Sequence, residues 1–81
     1  MERYHFHVID QTECRDLHGT LLKDVFAAKR EALRFAGDLL KDLGDKLWSG
    51  AAWNIRVTDS DDLTLFELHF SGIDLPNLRE P

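Results

Sequence analysis

The apolar residues of this chain change their spacing along its length, and that change limits what the chain can fold into. Between Arg3 and Ile9 they alternate. Tyr4, Phe6 and Val8 fall on one side of an extended strand, and His5, His7 and Ile9 on the other. From Val25 to Leu43 the spacing becomes helical, with Val25, Ala32, Leu33, Ala36, Leu39, Leu40 and Leu43 on one broad face. Alternation returns in 52–58, where Trp53, Ile55 and Val57 oppose Asn54, Arg56 and Thr58. It continues in 63–70, where Phe66, Leu68 and Phe70 oppose Leu65, Glu67 and His69. A two-residue period cannot bury one face of a helix, so these segments are strands flanking one helix.

The segment boundaries carry local signals. Asp24 is placed to cap the helix, because its carboxylate can accept from the first free backbone N–H groups. Phe26 and Ala28 flank the apolar face, Lys29 falls within it, and Arg30, Arg34, Asp38, Lys41 and Asp42 lie opposite. Gly44 follows where a left-handed cap is expected. Leu47 and Trp48 are then expected against the end of the core. Asp59-Ser60-Asp61-Asp62 is a hairpin turn. Asp10 to Asp16 breaks the first strand, and Leu17 to Leu22 is expected to return as a short second strand that bends at Gly19.

The expected fold is α+β. A small antiparallel β-sheet of order β-β-α-β-β packs one face against one α-helix and leaves the other face wet. One domain spans 1–72, and 73–81, with Leu75-Pro76-Asn77-Leu78, forms a C-terminal tail.

Composition excludes several functions. The 81 residues carry 10 Lys+Arg against 15 Asp+Glu, a net charge of −5, which argues against a general nucleic-acid binder. No apolar run approaches the roughly 18 residues of a membrane span. No secretory signal opens the chain. A single thiol, Cys14, cannot form an internal disulfide. These features point to the cytoplasm. A chain this small also gains little from one core, so self-association is the expected reinforcement.

The residues able to carry chemistry fall mostly on the outer sheet face. His5 and His7 emerge together, and Glu67 and His69 join them if the last hairpin lies beside the first strand. Such a group suits Zn²⁺. The plainer reading is a solvated polar face. Cys14 and His18 are four apart, but Glu13, Arg15 and Asp16 make the thiol's setting solvated and mixed in charge, as for an ordinary free cysteine. Asp59, Asp61 and Asp62 lack the spacing and terminal Glu of a calcium loop. No phosphate loop or nucleophile elbow is present, and one sheet with one helix leaves little room for a deep pocket, so no enzymatic role is expected. The outer face also carries Ile9 and Leu65. The leading expectation is a non-enzymatic, homodimeric interaction module that uses the outer sheet face or an edge strand, with His5, His7, Ile9, Arg56, Leu65, Glu67 and His69 as candidates. A histidine metal module and an antitoxin-like, nucleic-acid-associated regulator are the alternatives.

Several segments resemble one family. Arg3-Tyr4-His5-Phe6-His7 resembles the "RYFFH" opening of the domain of unknown function DUF6894, found in small proteins of rhizobia and related α-proteobacteria. Asp24 to Leu33 resembles its "DLxAARxEAL" segment, and Trp53 to Asp59 its "W-x-[IV]-x-V-x-D" strand and turn. The later Leu65-Phe66 to Phe70 strand is also similar. His5 stands where the family usually has an aromatic. Of its acidic "DxEG" run, Asp16 and Gly19 remain. The resemblance implies a compact, stand-alone cytoplasmic bacterial module and no assigned catalytic residue.

Overall fold

The computed structural model describes residues 1–75. Among them are five strands and one α-helix: β1 (Glu2–Ile9), β2 (Glu13–Cys14), β3 (Thr20–Leu22), α1 (Val25–Leu43), β4 (Trp53–Thr58) and β5 (Thr64–Phe70). The α+β architecture agrees with the sequence reading, with one strand more than expected. The expected second strand shortens to Thr20–Leu22, and the polar break supplies β2 before it. All pairings are antiparallel. β1 pairs β4 through His5–Thr58, His7–Arg56 and Ile9–Asn54, and β4 pairs β5 through Arg56–Glu67 and Asn54–His69. β5 therefore closes one side of the sheet as an edge strand. On the other side β1 is shared, with β2 along its end and β3 along its beginning.

The helix keeps the predicted bounds because its cap forms as expected. Asp24 accepts from the Ala27 N–H at 2.9 Å. Its packing face is narrower than the expected one, keeping Ala32, Ala36 and Leu39 and adding Ala28. The buried helix residues are Ala28, Ala32 and Ala36, whereas Leu33 is 62% exposed, and Leu40 and Leu43 are also exposed. Alanines four apart let the helix axis approach the sheet closely, so the larger leucines are displaced to its flank. The alanines meet Tyr4, Phe6, Trp53, Ile55 and Val57, with Phe35, Leu39, Phe66, Leu68 and Phe70 packed around them. Trp53 stacks on Phe70 at 4.5 Å between ring centroids.

Gly44 does not end the helix in a left-handed cap. Its φ is −60°, and the chain continues into a 3-10 helix, Gly44–Ser49, that stops at Gly50 with φ +92°. Leu47 reaches the core, but Trp48 is 62% exposed. Lys29 holds Nζ 6.0 Å from the Phe66 ring centroid, within cation–π range. Arg34 contacts both Asp38 and Glu31 on the solvent side. The expected tail begins with exposed Ile73 and Leu75, and its Pro76-Asn77-Leu78 segment lies outside the described residues.

Candidate functional site

The outer sheet face gathers the residues that period two assigned to it. Across β1, β4 and β5 they form rows: His5 beside Thr58, His7 beside Arg56 and Glu67, and Ile9 beside Asn54 and His69. β4 separates β1 from β5 and His69 lies in the Ile9 row, so the first-strand histidines are more than two strand spacings, roughly 10 Å, from His69. The face is also less wet than expected, because two loops fold over it.

His7 is 1% exposed and Thr58 2%. The Asp16 N–H donates to His7 Nδ1 at 3.0 Å, which fixes that nitrogen as an acceptor. The proton then resides on Nε2, which donates to Thr58 Oγ1 at 2.9 Å. Burial, followed by the charges of Arg15 and His5, lowers the His7 pKa below the ordinary histidine range. A neutral, doubly hydrogen-bonded imidazole has no lone pair left for a metal. His5 stacks parallel to His7, centroids 6.1 Å apart, and donates from Nδ1 to the Asp16 carbonyl at 2.9 Å.

Asp16 organises this region. β2 and β3 leave a gap along β1, and the Asp16 carboxylate fills it. Oδ2 accepts the Phe6 N–H at 3.1 Å, and Oδ1 accepts those of His18 and Gly19 at 3.2 and 2.9 Å. One side chain thus replaces the missing piece of strand. Burial raises the Asp16 pKa, but the backbone bonds from Gly19, Phe6 and His18 outweigh it and hold the carboxyl below its usual range. Gly19 has φ +71°, and a Cβ there would lie 2.8 Å from Arg3 Cγ and 2.9 Å from the Tyr4 carbonyl oxygen. The turn needs glycine for both reasons. Arg15 ties the segment to the β4–β5 turn through Asp62 at 2.7 Å, while also holding Glu13 at 2.9 Å.

Farther along the face, Glu67 is held by His69 Nε2 at 2.7 Å and Arg56 Nε at 3.0 Å. These bonds, His69 first, lower the Glu67 pKa. Arg56 therefore places a cation between His7 and Glu67, where the metal reading needs an open coordination position. Among the described residues, no three His, Cys, Asp or Glu side chains group so as to hold a metal ion. Cys14 is exposed at the mouth of a cleft of about 300 Å³ between α1 and the β2 side of the sheet, lined by Phe6, Val8 and Phe35.

The β5 side differs. Among the described residues no strand covers the outer edge of β5, and its inward residues Phe66, Leu68 and Phe70 are only half-buried. Lys29 above Phe66 identifies the helix flank facing this side. On that flank, Phe26, Leu33 and Leu40 recur at seven-residue spacing and are 66, 62 and 39% exposed. Leu65, 38% exposed, adds to the outer face of the same strand. The sequence placed Leu65, Glu67 and His69 correctly on one face. It did not single out this helix flank, whose signal was the seven-residue recurrence within an apolar stripe wider than the alanine contact could cover.

No helix among the described residues is long and apolar enough to cross a membrane. No curated protein and no solved structure matches the chain. A family model does match, over residues 3–71, and the chain belongs to that family, the domain of unknown function DUF6894.

Proposed function

We propose that this chain is a non-enzymatic module that acts by protein association, and that it associates with itself. The observation that carries the reading is the β5 side of the molecule. A strand edge that no described residue pairs, three half-buried inward residues and an exposed apolar helix flank occur together there. Folded chains protect such edges with Lys, Pro, a bulge or a covering element. The regular part of β5, Phe66 to Phe70, contains neither Lys nor Pro, and its single carboxylate is already paired with Arg56 and in hydrogen-bond contact with His69. The bulge between Val57 and Thr58 lies before that stretch. Contiguous apolar surface of this kind marks an interaction site. Measuring molar mass by light scattering behind a sizing column, over a range of loading concentrations, tests the reading. A mass rising to twice that of the chain is expected, and a single-chain mass throughout would refute self-association.

A further inference from the structure

Resting on that reading, we propose that two copies join β5 to β5 in antiparallel fashion with Leu68 on the two-fold axis, so that the two sheets become one. The direction of the backbone groups follows from a single bond. Phe6 sends its N–H away from β4, to Asp16. Alternation along β1 then turns the N–H and C=O groups of His5, His7 and Ile9 toward β4, where they meet Thr58, Arg56 and Asn54. The groups of Trp53, Ile55 and Val57 consequently face β5 and bond Phe70, Leu68 and Phe66. What remains for the open edge is the N–H and C=O of Glu67 and His69, because the bulge interrupts the alternation at Leu65.

A two-fold axis makes the interface self-complementary, and only a few registers use those groups. With Glu67 on the axis, two carboxylates would face each other, which is destabilising. With Phe66 on the axis, Glu67 would face the partner's Leu65, and no charge would be matched. With Leu68 on the axis, Glu67 meets the partner's His69, and His69 the partner's Glu67. On the inner face of the same register, Phe66 meets the partner's Phe70, and this contact also occurs twice. Acid–histidine and aromatic pairs are the favourable cross-strand combinations. The half-buried inward residues then lie on either side of the seam, beneath the Leu33 and Leu40 flanks of the two helices.

The test reads mass and backbone together. Amide hydrogen exchange is followed by NMR at concentrations below and above the association midpoint. The Glu67 and His69 amides are expected to slow on association, while the Leu68 amide, bonded to β4, is protected at both concentrations. A doubled mass with those two amides unchanged would overturn the surface and leave self-association standing; a single-chain mass at all concentrations would overturn both. Charge exchange tests the register. Glu67→Lys and His69→Glu, each at an exposed position, are expected to weaken association about tenfold by removing or reversing both symmetric pairs. The double variant places Lys opposite Glu across the seam and is expected to recover most of the loss. Equal weakening in the single and double variants, each folded by circular dichroism, would overturn the Leu68 register.

Discussion

The two sides of this sheet treat an exposed strand in opposite ways. On the β1 side the chain closes its own edge: β2 covers one end, β3 the other, and Asp16 fills the gap with a side chain. On the β5 side the last strand ends the sheet, and none of the described residues pairs with its outer edge. The closed side needed a loop, a glycine with positive φ and a charged residue committed to backbone bonding. The open side keeps regular alternation and apolar side chains. Self-closure therefore depends on a few irreplaceable residues, whereas a surface left for a partner retains regular strand geometry.

Opening the closed side should give the largest effect. Asp16→Ala frees the Phe6, His18 and Gly19 N–H groups at once. Hydrogen bonds to an ionised group are the stronger kind, so a loss of about 2–4 kcal/mol in urea unfolding is expected. A loss below about 1 kcal/mol would mean that water replaces the carboxylate easily.

Crowding the centre of the molecule comes next. Ala32→Leu adds three carbons where the helix touches the sheet, at a fully buried position. It is expected to cost about 1–3 kcal/mol. Leu33→Ser, one residue along, should change chain stability by less than about 0.5 kcal/mol while weakening association. Equal losses at the two positions would contradict an alanine contact.

Acid should loosen the closed side before the rest. The folded pKa of His7 lies below its unfolded value, so the unfolded chain binds the proton first. Stability is therefore full above about pH 6.5 and falls as pH drops below it. Asp16, whose folded pKa is depressed, adds a second loss below about pH 4. The His7→Leu variant should lack the first decline and keep the second. A wild-type stability that stays flat from pH 7 to pH 5 would contradict a buried neutral His7.

The smallest effect is expected from Zn²⁺. Both His7 nitrogens are engaged and Arg56 stands beside Glu67, so neither Zn²⁺ nor a chelator should move Tm. A rise of several degrees with stoichiometric metal would restore the histidine reading.

How far the sequence can be read depends on how local each feature is. The helix bounds were legible because Asp24 and the apolar period act within a few residues of the backbone they organise. The strand faces were legible because pleating fixes the alternation. The helix contact was drawn too wide, taking in Leu33, Leu40 and Leu43, because hydrophobicity ranks Leu above Ala, whereas close approach favours the smaller side chain. β2 and the Asp16 closure escaped because a two-residue strand has no period, and because Asp16 works by folding back on Phe6, ten residues away. Only the Asp16 and Gly19 spacing hinted at it.

The sequence by itself determined the kinds of elements, their boundaries near the helix and the side of each strand facing inward, since those follow from local backbone geometry. Tertiary structure alone decided that β4 lies between β1 and β5, that His7 is covered and neutral, and that the chain closes the β1 edge on itself. These depend on which distant segments meet, and that is set by how the whole chain packs rather than by any residue's near neighbours.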